Sequence, residues 1–284
     1  MAVLLATTAL GTSLFVVEVR AQNLPTGGNV AAGSVSIANT SPTQLNITQT
    51  SQSAVVNWQS FSIGQGHAVN IQQPNSASAL LNRVTGNAPS TIAGMLTANG
   101  HVYLVNPNGI AITQSGVVNT GSFVASTLGI SDSDFMAGKR TFTGNGASAP
   151  VTNAGIITVG RGGYAALLGG TVENSGSIFV PLGKVGLGSG ERATLDFSGD
   201  GFLQVALPTA AGGDGALIRN SGTIGGRRQR DRQRRNRAGS GPQRGQYLRY
   251  RSGPNHRRPF RLDRHRRRRR RWRQDLRPSH DNVA

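Results

Sequence analysis

Asn153-Ala154-Gly155-Ile156-Ile157, Asn174-Ser175-Gly176-Ser177-Ile178 and Asn220-Ser221-Gly222-Thr223-Ile224 are one phrase written three times. The second copy stands 21 residues after the first, and the third 46 after the second. A looser copy, Asn119-Thr120-Gly121-Ser122-Phe123, precedes the first by 34 residues. Asn and Gly tolerate positive φ, so Asn-x-Gly between apolar runs predicts a tight corner. A corner recurring at roughly 20-residue intervals, with one or more strands between, predicts a solenoid whose coils stack in parallel. Asn153, Asn174 and Asn220 are then expected as corner residues, hydrogen-bonded along an asparagine ladder, and not as ligand contacts.

The flanking sequence agrees in period. Val35 and Ile37 fall on one strand face, as do Leu45 and Ile47, Val102 and Leu104, Ile110 and Ile112, Ile157 and Val159, and Val185 and Leu187. Alternation over four to six residues is the strand signal, and no sustained 3.6-residue stripe competes with it. Helix is expected to be nearly absent. About 195 residues at this period would give roughly nine rungs. The competing fold, a Greek-key sandwich with strands every 8–12 residues, does not require one corner phrase repeated in register. Aromatics are only 5% of the chain, so Val, Ile, Leu and Ala are expected to fill the column.

Charge divides the 284 residues into two compositions. From Met1 to Ile224 eight basic residues balance eight acidic ones, so the whole net charge of +18 arises from Gly225 onward, where 22 Arg meet four Asp. Alternation stops there, and Arg266 to Arg271 are consecutive. A genuine tail of this kind would be a disordered polycation, binding nucleic acid or an anionic envelope by counterion release, with Tyr247, Tyr250 and Trp272 available for stacking. It would also leave the last rung's edge uncovered. A composition argument favours another origin: Gly-rich solenoid sequence in GGC-type codons reads as Arg when shifted one frame, so a frameshift near Gly225 is expected. Nucleic acid is expected as a partner only if the tail is genuine.

At the other end, Ala2 to Val17 is apolar apart from Thr, Ser and Gly, and Val19-Arg20-Ala21 offers small residues around a cleavage point. This predicts a signal peptide over 1–21. No Lys or Arg precedes the apolar run, so the true start is expected upstream. The run is too short and interrupted for a membrane span. The absence of Cys excludes a disulfide scaffold, a thiolate nucleophile and Cys-ligated metal.

Leu81-Asn82-Arg83-Val84-Thr85-Gly86 is followed by Ser90-Thr91-Ile92-Ala93-Gly94 and Asn99-Gly100-His101-Val102-Tyr103-Leu104. Then come Val105-Asn106-Pro107-Asn108-Gly109-Ile110 and Val124-Ala125-Ser126-Thr127-Leu128. In that order, and with Leu24-Pro25-Thr26-Gly27-Gly28 and Asn57-Trp58-Gln59-Ser60-Phe61 upstream, residues 22–224 resemble the two-partner-secretion (haemagglutination activity) domain of filamentous-haemagglutinin-type exoproteins. One departure is Gln73-Pro74-Asn75-Ser76, where many relatives carry a second Asn-Pro-Asn-Leu.

The resemblance implies an all-β fold: a right-handed single-stranded parallel β-helix with an N-terminal cap over 22–225, followed by the Arg-rich tail, 226–284. It implies export through the periplasm, unfolded, to a dedicated outer-membrane barrel transporter whose periplasmic domains recognise this region. The product would be the N-terminal secretion and adhesion module of a large adhesin at the cell surface or outside it, with the host receptor unnamed. The motif Asn106, Pro107, Asn108, Gly109 and Ile110 is then a turn that also contributes to transporter recognition, supported by Leu81, Asn82, Arg83 and Val84. From the residues alone it is a turn: Pro107 presets φ, Asn108 and Gly109 can take left-handed backbone, and Ile110 resumes the inward face. An extended polar segment could also add to a partner's sheet edge. Lack of Cys avoids cross-links in the periplasm.

Pectin-degrading enzymes share the β-helix, and such chemistry needs clustered carboxylates, or calcium held by several Asp with a nearby Arg as base. Asp132 and Asp134 lie in an apparent loop, and Glu173, Glu191, Asp196, Asp200 and Asp214 are dispersed. Ser198-Gly199-Asp200-Gly201 and Gly212-Gly213-Asp214-Gly215 lack the repeat of calcium-binding nonapeptides and predict turns. His67 and His101 are too few and too far apart for a metal site. No catalytic residue, metal or cofactor is expected.

Overall fold

Leu45, Val69, Leu96, Val118, Ile157, Ile178 and Ile224 form one unbroken in-register column, each the Cα partner of the next on parallel strands. That column belongs to sheet I, made of Gln44–Gln49, Ala68–Gln72, Met95–Ala98, Val117–Thr120, Ile156–Val159, Ser177–Phe179 and Thr223–Gly225. Sheet II stacks Ser53–Trp58, Ala79–Val84, His101–Val105, Ser122–Ser126, Tyr164–Gly169 and Lys184–Ser189. Sheet III stacks Ser90–Ile92, Ile110–Ile112, Pro150–Asn153, Thr171–Asn174 and Ile218–Asn220. The chain runs I, II, III and back to I, so alternate residues of all three sheets enclose one apolar column. The structure is a computed structural model and describes residues 24–146, 148–197, 201–206 and 217–226. The chain divides into two units, Met1–Arg251 and Ser252–Ala284, and every described residue lies in the first. The expected signal peptide, the Arg-rich tail from 227 and most of both Asp-Gly turns lie outside the described residues.

About six turns are present where a simple period predicts nine: five pass through all three sheets, and in the first an isolated bridge from Ile63 to Ile92 stands in for the sheet III strand. The missing turns are residues spent elsewhere. At the start, Asn29–Ala32 and Val35–Ser41 pair antiparallel with Ser53–Trp58 and Gln44–Gln49, covering the edges of sheets II and I. Leu24, Val35 and Ile37 pack on the end of the column. This is the N-terminal cap, and it removes an edge on which another chain could pair.

Two excursions use the rest. Residues 127–149 leave between sheets II and III, form a short helix, Asp132–Met136, capped by Ser131, and then a strand, Thr141–Thr143. The second excursion, 190–217, contributes Arg192–Leu195 and Leu203–Ala206. The three excursion strands pair antiparallel with one another. The 46-residue gap between Asn174 and Asn220 is therefore one turn plus a hairpin. The apparent loop holding Asp132 and Asp134 is that short helix.

Packing corrects a further expectation. The column is not filled by aliphatics alone: Trp58 and Phe61 meet edge-to-face at 5.5 Å in its first turn, and Phe123 is fully buried higher up. Five other aromatics gather in a second core between the outer face of sheet II and the excursions, where Tyr103, Phe135, Phe142, Tyr164 and Phe202 pack around Leu81 and Val124. Few rings suffice because they are concentrated.

Candidate functional site

The Asn106–Gly109 corner joins sheet II to sheet III in the third turn. The Gly109 amide donates to the Asn106 carbonyl at 3.2 Å, closing a four-residue turn with Pro107 at its second position. The Asn106 side chain is fully buried, and all its hydrogen-bonding capacity is used. Its Nδ2 donates to the Ala88 carbonyl (3.0 Å) and to Ser90 Oγ (2.9 Å), while its Oδ1 accepts from the Asn108 amide (2.9 Å) and Asn108 Nδ2 (3.1 Å). Asn108 Nδ2 also donates to the Gly86 carbonyl at 2.8 Å. Both asparagines thus tie this corner to the loop of the preceding turn. Pro107 and Asn108 are exposed at its tip, while Gly109 and Ile110 return to the interior. Only Gly109 takes positive φ, at 117°. Asn108 stays in ordinary backbone, since Asn, Pro and Gly at the first, second and fourth positions suit a type I turn.

Leu81, Asn82, Arg83 and Val84 lie on sheet II one turn earlier. Asn82 and Val84 face the column, and Leu81 faces the second core. Asn82 is fully buried because Trp58 needs an acceptor: the indole Nε1 donates to Asn82 Oδ1 at 3.1 Å. Arg83 reaches the first excursion, donating to the Ile130 carbonyl (2.6 Å) and pairing with Asp132 at 2.6 Å, in an orientation that makes the latter an ion pair without a hydrogen bond. The four residues hold three parts of the fold together but do not touch the Asn106–Gly109 tip through any of these bonds.

Asn153, Asn174 and Asn220 sit at the sheet III to sheet I corner as register partners. Asn153 Nδ2 donates to Asn174 Oδ1 (2.7 Å), and Asn174 Nδ2 to Asn220 Oδ1 (2.6 Å). Neither the asparagines nor Gly155, Gly176 and Gly222 have positive φ. The glycines are required for a different reason: a Cβ on Gly155, Gly176 or Gly222 would lie 2.3, 2.2 or 2.1 Å from the carbonyl oxygen of Gly116, Gly155 or Gly176 respectively. Asn119 is not a fourth copy, because it lies within sheet I and it is Ile112 that pairs with Asn153.

Two polar clusters escape a sequence reading. At the sheet I to sheet II corner, buried Gln73 donates to Gln49 Oε1 (3.1 Å) and accepts from the Gly100 amide (3.0 Å). The departure Gln73-Pro74-Asn75-Ser76 is therefore a built corner, signalled only by Gln49 and Gln73 being 24 residues apart. In the second core, buried Arg140 donates Nε to Tyr103 Oη (2.9 Å) and Nη1 to the Phe135 and Lys139 carbonyls (2.9 and 2.7 Å). Tyr103 and Tyr164 share a hydroxyl hydrogen bond, and Tyr164 Oη meets His101 Nδ1 at 3.2 Å. Burial, with the nearby Arg140 adding to it, holds His101 below the ordinary imidazole range. Burial and then Tyr103 push the Tyr164 phenol well up, against Arg140. A third contact joins the excursions: Glu191 accepts from the Gly146 amide (2.9 Å) and Ser148 Oγ (2.9 Å). Burial opposes the Glu191 charge, and these hydrogen bonds together outweigh it, leaving the carboxyl below its usual range.

These groups predict acid sensitivity in two windows. The folded state binds fewer protons at His101 than the unfolded chain does, so stability is full above about pH 6.5 and declines as pH falls toward the depressed folded value. Glu191 adds stability above the usual carboxylate range, about pH 4.3, that is lost as pH falls through its own lower value. His101→Gln should flatten the upper window and Glu191→Gln the lower one in urea melts across pH. If neither profile moves, these groups are not the source.

A capped parallel solenoid, with excursions folded over one sheet and an Asn-Pro-Asn-Gly corner in its third turn, defines the class of β-solenoid secretion domains. The family model of the TPS secretion domain matches residues 21–248, and the chain belongs to that family. It is 36% identical over 212 residues to a heme/hemopexin-binding protein of Haemophilus influenzae, covering 72% of this chain and 23% of that protein. A second heme/hemopexin-binding protein of that species is 45% identical over 95 residues, 34% of this chain and 10% of its own length. The chain thus spans about a quarter or less of these relatives. The crystal structure of the HMW1 secretion domain from Haemophilus influenzae superposes with a TM-score of 0.62 at 34% identity, over 70% of this chain and 58% of that one.

Proposed function

We propose that this chain is the N-terminal secretion and adhesion module of a larger exported adhesin, carried through the periplasm and recognised by the periplasmic domains of a dedicated outer-membrane barrel transporter. Membership of the secretion-domain family is the observation that carries this reading. The Asn106–Gly109 corner supports a place for the contact, since its buried half fixes the turn while Pro107 and Asn108 stay exposed. We read the module as non-enzymatic. Three of its acids have structural partners: Asp132 with Arg83, Asp134 with Lys139, and Glu191 with Gly146 and Ser148. Ligand specificity of the kind named for the heme/hemopexin-binding relatives belongs, in this reading, to sequence beyond the module.

The test is export of Asn108→Ile with the transporter co-expressed. Secreted protein should fall by about tenfold while the refolded variant melts within a few degrees of the parent, because one exposed side chain and two hydrogen bonds are lost. Unchanged export removes the recognition role of this corner. The charge of +18 supports a second reading, a polycationic protein for nucleic acid or anionic envelope. That reading requires salt-sensitive DNA binding that disappears when 227–284 are deleted.

A further inference from the structure

Sheet I carries no Asp, Glu, Lys, Arg or His on any of its parallel strands, whereas sheet II holds Arg83, His101 and Lys184 and sheet III holds Glu173 and Arg219. Its outer face is open to solvent, with Met95 47%, Ile156 44% and Phe179 42% exposed. A charge-free, exposed and rigid sheet face is unusual on a soluble protein, because charges are the ordinary means of keeping such a face from associating. Independently of the secretion reading, we propose that this face is a binding site for a neutral, hydroxyl-rich polysaccharide chain lying along the solenoid axis.

The face is built for such a ligand in three respects. A shallow, wide-open depression lies across the early turns, lined among others by Gln44, Asn46, Asn70, Gln72, Thr97 and Asn119. Asn46, Asn70, Thr97, Asn119, Thr158 and Phe179 are successive register partners, so the ligand would meet a new amide, hydroxyl or ring at every strand, about 4.8 Å apart. On this face the side chains hold one another in place. Gln44 Nε2 and Asn70 Nδ2 both donate to Asn46 Oδ1 at 3.3 Å, and Thr97 Oγ1 donates to Asn70 Oδ1 at 2.5 Å. A preorganised row loses little freedom on binding. Amides present donors and acceptors together, as sugar hydroxyls do.

The adjoining row, Met95, Val117 and Ile156, is apolar and in register, offering a surface for the C–H faces of sugar rings. Other ligands fit less well. Sulfated, phosphorylated or uronic polymers would find no cation on the sheet, and nucleic acid binding depends on such cations. An apolar protein surface would strip water from the amides without replacing their hydrogen bonds.

The experiment titrates the full chain, labelled for amide NMR, with an uncharged cello-oligosaccharide, and repeats the titration with dextran sulfate as the anionic control. Binding of the neutral chain is expected to perturb amides of residues 44–49, 68–72, 95–98 and 117–120, and not those of sheet III. Asn119→Ala, at an exposed position, and the double variant Asn70→Ala with Asn119→Ala should weaken it by about fivefold or more, with melting temperatures unchanged for the single variant. No perturbation at saturating sugar, perturbation confined to other faces, or equal affinity in both variants overturns the proposal. So does sheet I engaging the transporter's periplasmic domains while remaining silent to sugar.

Discussion

Gly176→Ala is expected to destabilise the solenoid by about 3 kcal/mol, at the upper end of what overpacking usually costs. The new Cβ would stand 2.2 Å from the Gly155 carbonyl oxygen and 2.6 Å from the Ala154 carbonyl carbon. Both obstacles are backbone, and the Gly155 carbonyl already accepts the Ser177 amide at 2.8 Å. Neither can yield without shifting a whole rung. The shift would also pull on Asn174, whose carbonyl accepts the Ser221 and Gly222 amides at 2.9 Å and whose side chain bridges Asn153 and Asn220. Gly138 is the control. It has φ of 81° with nothing within 4 Å of its added Cβ, so alanine there costs only the left-handed backbone, about 1 kcal/mol. Denaturant melts of the two variants separate the causes. Equal losses would mean that the stacked carbonyl is not what demands glycine at this corner, since Gly176 has no left-handed backbone to account for them.

That distinction marks the limit of reading this fold from its sequence. Asn153, Asn174 and Asn220 announce a corner and a repeat, and alternation in pairs such as Leu45 and Ile47 announces strands with one buried face. Those are local signals and they survive folding unchanged. The reason for each glycine does not, because the atom that excludes a Cβ from Gly176 belongs to Gly155, one turn away, and the sequence records identity without spacing in space. The same limit explains the miscounted turns. A period describes a solenoid only while successive coils are alike, and Thr141–Thr143, Arg192–Leu195 and Leu203–Ala206 leave the coil to build a separate antiparallel sheet. At the corner between sheets II and III, Asn106-Pro107-Asn108-Gly109 is legible as a turn. That its first asparagine is buried on Ala88 and Ser90 while the second is exposed depends on the neighbouring coil. Aromatic scarcity misled for a related reason: it fixes how many rings exist and says nothing of their gathering over sheet II.

The second core makes the other large expectation. Arg140→Met should cost about 2–4 kcal/mol, yet leave the solenoid standing. The guanidinium lies 4.3 Å from the centre of the Phe135 ring and 5.0 Å from that of Tyr103, and donates to three oxygens. Methionine keeps much of the apolar bulk but leaves the buried Phe135 carbonyl and Tyr103 hydroxyl, and the half-buried Lys139 carbonyl, without the donors of the guanidinium. The loss falls on the first excursion, since Arg140 ties its helix and strand to sheet II while the columns of sheets I and III make no such contact. Hydrogen exchange should therefore quicken at Phe142 and Thr143, and stay slow at Val118 and Ile157. Arg140→Lys should rescue only in part, because an ammonium cannot lie flat against two rings while serving three separated acceptors. A second readout does not depend on stability. The positive charge of Arg140 helps to hold His101 below the ordinary imidazole range, so removing it should let the His101 titration move upward by NMR. If His101 titrates unchanged in Arg140→Met while the excursion stays protected, Arg140 is packing at the margin and not the pin between the two cores.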